Sequence, residues 1–236
     1  MLFFQRADNM TTLFITSSGT GIGKTYVTVR LIEALRGRGH SVAALKPLIT
    51  DWTDAGAVAS DTGLILAALG EAVTPDAIDR ISPWRYRAAL APDMAAAREG
   101  KAVPFDAVIS WCRTQQGALA PGAVLLVEGA GGVLVPVDGA HTMRDMMRAL
   151  DAVPILVVGS YLGTISHTLT ALEALTAKGL SPLAIAVSES ADADIPLADT
   201  CAVIARFAGD VPVVAVPRGG GTADAGLATL ARLVRP

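Results

Sequence analysis

The chain has 236 residues and a formal net charge of −3, with 19 Lys and Arg against 22 Asp and Glu. That length suits one α/β domain with a sizeable core. The charge balance and an aromatic content of 5% provide no basic, stacking surface for nucleic acid, and no apolar run reaches the ~18 residues of a membrane span.

Cys112 and Cys201 lie far apart and read as free thiols, which fits a reducing cytoplasm better than a disulfide framework. His40, His141 and His167 show no metal-ligand spacing. The first nine residues lack a cationic segment followed by a long apolar one, so no secretory signal is expected. Residues 1–11 read as an N-terminal extension without required order, and 12–236 as a single domain.

The first expected strand, 12–16, runs into Thr16-Ser17-Ser18-Gly19-Thr20-Gly21-Ile22-Gly23-Lys24-Thr25, and a helix follows over 24–37. Strand, glycine-rich turn and helix are the setting of a phosphate-binding loop. Glycines let the backbone bend around a polyphosphate while amide N–H groups face the anion. Lys24 would reach the β/γ-phosphates and the Thr25 hydroxyl would hold Mg²⁺. The strict pattern G-x-x-x-x-G-K-[ST] asks for glycine where Ser18 stands. A dinucleotide fingerprint from Gly19 would need glycine in place of Lys24.

A second strand over 41–46 ends in Lys46-Pro47. A lysine at the carboxyl edge of a parallel sheet points into the ligand crevice, unless it snorkels to solvent. Ser60-Asp61 opens a helix over 61–69; Asp61 is open between a first-turn acid and a site residue. The stretch 70–104 carries Pro75, Pro83, Pro92 and Pro104, with a short helical piece near 93–99. It reads as a connecting excursion over the sheet ends. Beyond it come a helix over 105–119 and a strand over 123–128. That strand ends in Glu128-Gly129-Ala130-Gly131-Gly132. Glu128 stands where a P-loop protein places its second Mg²⁺ carboxylate.

A helix over 142–150 with Thr142 as cap precedes a strand over 154–158. The turn Gly159-Ser160-Tyr161-Leu162-Gly163-Thr164-Ile165-Ser166-His167 then enters a helix over 165–178, with Thr164 as cap and Gly37 and Gly179 as C-terminal stops of their helices. A strand over 183–188, a helix over 197–208, a strand over 212–216 and a helix over 223–234 complete the chain. This alternation predicts an α/β, single-domain, P-loop NTPase-like fold: a mostly parallel sheet with helices on both faces.

The ordered set Thr20-x-x-Gly23-Lys24-Thr25, Lys46-Pro47, Asp61, Glu128-Gly-Ala-Gly-Gly and Gly163-Thr164-Ile165-Ser166-His167 resembles the dethiobiotin synthetases, from about Thr12 to the end of the chain. The resemblance implies an ATP- and Mg²⁺-dependent cyclo-ligase of biotin synthesis. Such an enzyme joins 7,8-diaminononanoate and CO₂ (or bicarbonate as its source) into a ureido ring. It implies Thr25, Asp61 and Glu128 as Mg²⁺ ligands, and Lys24 on the phosphates within a loop of Gly19, Thr20, Gly21, Ile22 and Gly23. It implies Thr20, Lys46 and Thr50 near the carbamate. Gly132, Leu162, Gly163, Thr164 and Ser166 would lie around the substrate and a homodimer interface, with active sites shared between subunits. Glu189 falls where an asparagine commonly reads adenine, with backbone near Pro217 beside it. The chain also departs from the family at Ser17, Gly21, Asp93, Tyr161 and Ser166.

Two other readings share the phosphate loop. A ParA/MinD-like ATPase switch carries a lysine where this chain has Gly19. The ATP domain of a cobyrinate-type amide ligase comes with a glutaminase domain for which this length leaves no room.

Overall fold

The computed structural model describes residues 11–191, 195–220 and 225–235. The expected extension over 1–11 lies outside these apart from Thr11, which begins the first strand, and so do the first two residues of the helix expected over 223–234. Six strands form one parallel sheet: β1 (Thr11–Ser17), β2 (Val42–Leu45), β5 (Val124–Glu128), β6 (Val153–Val158), β7 (Ala184–Ser188) and β8 (Val213–Val216). Their spatial order is β2-β5-β1-β6-β7-β8. The central strands are buried nearly throughout, as near-continuous aliphatic runs dictate for strands covered on both sides.

The crossover β1–α1 (Lys24–Gly37)–β2 runs toward one edge of the sheet, and β6–α7 (Thr164–Thr176)–β7 runs toward the other. Right-handed connections in opposite directions put these helices on opposite faces. α1 packs beside α2 (Asp61–Leu69) and α9 (Ala225–Leu233), and α7 beside α8 (Leu197–Ala205). The direction of travel reverses around β1, so the carboxyl ends of β1 and β5 form the crevice where ligands bind in open α/β sheets.

The remaining elements build the wall of that crevice. β3 (Leu48–Ile49) and β4 (Trp84–Arg85) make a short parallel pair. It is prolonged by Tyr86 N–H donating to Ile49 O at 2.9 Å and Trp52 N–H to Tyr86 O at 3.0 Å. The stretch 70–104 is more regular than expected, with α3 (Pro75–Ile81), β4 and α4 (Pro92–Arg98). Pro75 and Pro92 are first helical residues, because N1 needs no donor; Pro104 precedes α5 as its cap residue and Pro83 lies between α3 and β4. Thr74 caps α3 by accepting from Ala77 N–H at 3.2 Å. α5 (Phe105–Gly117) and α6 (Met143–Ala149) flank β5 in sequence, and Asp145 accepts from Thr142 N–H at 2.8 Å in a capping box.

Two cap expectations change. Thr164 is the first helical residue of α7; the cap is Gly163 at φ 95°, and Thr164 Oγ1 donates back to Gly159 O at 2.8 Å. α1 includes Gly37, and the left-handed residue beyond it is Gly39 at φ 85°. Gly179 is left-handed as expected, at φ 73°.

Close backbone approach governs the start of α2, the helix that carries Asp61. A Cβ added at Gly63 would lie 2.3 Å from Ala57 O and 2.4 Å from Val58 O. Both obstacles are backbone atoms, so the helix entry must move. Gly63→Ala is expected to destabilise the fold by about 1–3 kcal/mol, read by urea or thermal unfolding. A variant as stable as the parent would remove the close-approach account.

Candidate active site

Two glycine turns meet at the crevice. The first leaves β1 and enters α1, with Gly21 at φ 72° and Gly23 at φ 97°. A side chain at either position is disfavoured by backbone conformation, and a Cβ on Gly23 would also lie 2.6 Å from Ser188 Oγ. No side chain caps α1, so its leading N–H groups face the turn. The second turn, after β5, is fastened to the first: Val133 N–H donates to Ser17 O at 3.0 Å and Ser17 Oγ lies 3.0 Å from Gly131 O. Gly132 packs so closely that a Cβ there would sit 3.2 Å from Ser17 O.

A charged cluster fills the junction. Lys46 Nζ donates to Glu128 Oε1 at 2.6 Å, to Asp61 Oδ2 at 2.8 Å and to Gly129 O at 3.1 Å. Thr25 Oγ1 lies 2.7 Å from Asp61 Oδ1 and 2.8 Å from Glu128 Oε1; its single proton serves one of them at a time. Thr28 Oγ1 donates to Glu128 Oε2 at 2.6 Å. Lys24 Nζ donates to Ser17 Oγ at 3.3 Å. Lys46 is 3% exposed, so the snorkelling reading fails.

Burial alone would lower the pKa of Lys46, but the Glu128 and Asp61 carboxylates outweigh it and hold the ammonium above its usual range. Burial would likewise raise Asp61; the charge and hydrogen bond of Lys46, with Thr25 and Lys24, bring it below the usual carboxylate range. Lys24 has no such direct partner. Burial first, then the Lys46 charge, lower it to about 8 against the pull of Glu128 and Asp61. It therefore stays mostly protonated at neutral pH and lacks a counter-charge of its own.

A pocket of about 700 Å³ opens over this cluster. Thr20, Gly21, Ile22, Gly23, Lys24, Thr25, Lys46, Thr50 and Asp61 all line it. Glu128 lies just beneath, reached through Thr25 and Lys46. Gly19 begins the turn and Gly132 backs it. Leu162, Gly163, Thr164 and Ser166 do not line this pocket; Leu162 is 90% exposed and Ser166 is exposed at the start of α7. Glu189 and Pro217 stand at the ends of β7 and β8, outside the pocket lining. Glu189 Oε2 accepts from Arg218 N–H at 2.8 Å, and Pro217 O accepts from the Tyr26 hydroxyl at 3.1 Å.

Sequence reasoning missed several lining residues. Ala89, Leu90, Ala91 and Pro92 form one wall and carry no chemistry to mark them. Ser60 lines the pocket while capping α2, accepting from Gly63 N–H at 3.2 Å. Asp51 lies at the pocket five residues beyond Lys46, a single acid with no periodicity to mark it.

Thr25, Asp61 and Glu128 supply only oxygen donors, beside the phosphate loop. No group of three or more His, Cys, Asp or Glu side chains suited to a metal occurs among the described residues. Mg²⁺ fits such an incomplete set, since it is commonly held by one or two carboxylates, with substrate phosphates and waters completing the octahedron.

The AAA_26 family model, described as an AAA domain, matches residues 11–219. The ATP-dependent dethiobiotin synthetase of Methylobacterium nodulans is 46% identical over 92% of this chain and 98% of its own length. That of Acidiphilium cryptum is 42% identical over 86% of this chain and 91% of its own. Among solved structures, the septum site-determining protein MinD of Pyrococcus horikoshii, complexed with Mg-ADP, is 17% identical, with a TM-score of 0.52 over 94% of each chain. That likeness carries the fold alone. The identity to the synthetases extends over nearly the whole of both chains, and the chain belongs to the ATP-dependent dethiobiotin synthetase family.

Proposed function

We infer that this protein is an ATP-dependent dethiobiotin synthetase, joining 7,8-diaminononanoate and CO₂ with hydrolysis of ATP to ADP and phosphate. The observation that carries the reading is the junction of Lys24, Thr25, Lys46, Asp61 and Glu128 under one pocket, in a chain 46% identical to a named member.

The chemistry proceeds in three steps. One amine of the substrate adds to CO₂ and loses a proton, giving a carbamate. A carbamate oxygen attacks the γ-phosphorus of ATP, and the bond from that phosphorus to the β-bridging oxygen breaks to release ADP. The neighbouring amine attacks the carbonyl carbon of the mixed anhydride, the C–O bond to phosphate breaks, and the amine proton is released. Carbamate and triphosphate are both anions. Lys24 and Lys46 offset their repulsion, most strongly as charge moves in the transition state. Thr20 and Thr50 offer hydroxyls to the carbamate end from the pocket wall. Mg²⁺ held by Thr25, Asp61 and Glu128 would supply charge neutralisation on the β/γ-phosphates. The final attack is intramolecular, so pocket shape contributes through positioning.

Base recognition is assigned to the ends of β7 and β8. The Glu189 carboxylate only accepts hydrogen bonds when ionised, and it is engaged by Arg218 N–H. The Tyr26 hydroxyl likewise engages Pro217 O. Backbone groups of this segment are therefore left to meet the base. A homodimer with shared sites belongs to the same reading. It is supported by the exposure of Leu162 and Ser166 beside the start of α7, where no side chain caps the helix, away from their own chain's pocket. Among the described residues no helix is long and apolar enough to cross a membrane. Cys112 and Cys201 are free, which supports a cytoplasmic setting.

The direct test measures ADP release and dethiobiotin with diaminononanoate, ATP, Mg²⁺ and bicarbonate, omitting each in turn. Product is expected only with all four; turnover of ATP independent of the diamine would overturn the reading.

Replacing Lys46 by Gln removes the charge and keeps much of the length. kcat is expected to fall about 10²-fold or more, as for loss of a transition-state donor, with KM for ATP changed only a few-fold. Unchanged kcat in folded protein would show that Lys46 serves packing alone.

Shared sites predict complementation. Lys24→Ala and Ser166→Asp subunits, each inactive alone, should regain about a quarter of parental activity after random 1:1 exchange, because one site of each mixed dimer keeps both residues. Absence of rescue under proven subunit exchange would exclude sharing.

A further inference from the structure

We propose that Asp51 binds the ammonium group of the vicinal diamine and so decides which of its two nitrogens remains free to capture CO₂. This rests on the dethiobiotin synthetase reading and adds a substrate-binding residue to it. Two carboxylates line the pocket, those of Asp51 and Asp61. Asp61 is spent on Lys46 and Thr25, at 2.8 and 2.7 Å. The Asp51 side chain has no hydrogen-bond or ion-pair partner among the described residues and is exposed. Lys24 and Lys46 face the same pocket, and Asp61 and Glu128 are matched to Lys46, which leaves Asp51 as the lining carboxylate without a cation partner among the described residues.

The backbone holds Asp51 in an unusual conformation. Its φ is 62°, left-handed for a residue with a Cβ, a region in which Asp and Asn are enriched among non-glycine residues. Its N–H donates to Ala88 O at 3.2 Å, and the next residue, Trp52, donates to Tyr86 O at 3.0 Å. The prolonged β3/β4 ladder thus fixes the position from both sides. Such over-determined local strain is retained at ligand sites more than elsewhere. Ile49, Leu90, Pro92 and Val135 give the same pocket an apolar side suited to a hydrocarbon chain.

The substrate's chemistry makes the assignment consequential. Two amines on adjacent carbons repel when both are protonated, so near neutral pH one is an ammonium and its neighbour largely a neutral amine. Only the neutral amine can add to CO₂. A carboxylate paired with the ammonium fixes that asymmetry and presents the other nitrogen to the carbamate side of the pocket. Asp51 acts here by binding; it takes part in no bond change of the phosphoryl transfer.

The test compares the parent with Asp51→Asn and Asp51→Gly. Asparagine keeps shape and tolerance of positive φ without the charge, and glycine suits the left-handed backbone best, so one of them reports even if the other folds poorly. Steady-state KM is measured for diaminononanoate and for ATP. Binding of diaminononanoate and of nonanoate, which lacks both amines, is measured by calorimetry. Both variants are expected to raise KM for the diamine about 10- to 100-fold, the range for loss of a charge-assisted hydrogen bond. KM for ATP and nonanoate binding should stay within about two-fold, since neither ligand carries the lost charge pair. If the parent makes dethiobiotin and Asp51→Asn keeps the parental KM for the diamine, the role of Asp51 is overturned while the function stands. An equal loss of nonanoate binding would also overturn it, by showing that pocket shape rather than charge was lost. A parent that makes no dethiobiotin overturns the functional reading and this inference with it.

Discussion

Lys46 is an ammonium buried to 3% exposure at the end of a central crevice, and the site is arranged around that fact. An unpaired charge there would cost several kcal/mol. Its partners come from distant parts of the chain: Glu128 from the end of β5 and Asp61 from the start of α2. Thr25 from α1 bonds to the same two carboxylates. One buried cation therefore sets the relative positions of three elements. Displacing β5 or α2 takes a carboxylate away from the buried ammonium.

The sheet makes this convergence possible. β5 lies between β2 and β1, so Lys46 beyond β2 and Glu128 at the end of β5 are brought side by side, while the phosphate loop follows from β1. Register matters at this scale. Leu45 pairs with Val127, and the next residue of each strand contributes one half of the ion pair. Gly132 packs tightly against the backbone of the phosphate turn, and Gly129 against the core: a Cβ at Gly129 would lie 2.7 Å from Phe14 Cε1. Apolar packing and catalytic geometry are thus one constraint at the end of β5.

Lys24 and Lys46 show how environment separates two like residues. Both are buried beside the same carboxylates. Lys46 bonds to them directly and is held protonated, whereas Lys24 reaches only the Ser17 hydroxyl and is lowered to about 8. Lys46 already has its anions and is suited to act at the boundary between them and the substrate.

The sequence determined the strand and helix alternation, the phosphate loop, and the residue types at three strand ends, because those signals are local: glycines before Lys24-Thr25, Pro47 after Lys46, an acid closing an apolar run at Glu128. It left Asp61 open between a first-turn acid and a site residue, and Lys46 between the crevice and solvent. Only the tertiary structure decided these, since burial and a 2.8 Å partner depend on where α2 folds. In the stretch 70–104 it found the helical piece that became α4 and missed α3 and β4, and it passed over the pocket wall at 89–92 and Asp51. Alanine, proline and a single acid carry no pattern. Their role comes from the β3/β4 ladder, a pairing between segments some 35 residues apart, and non-local pairing of so short a length leaves no periodicity to read.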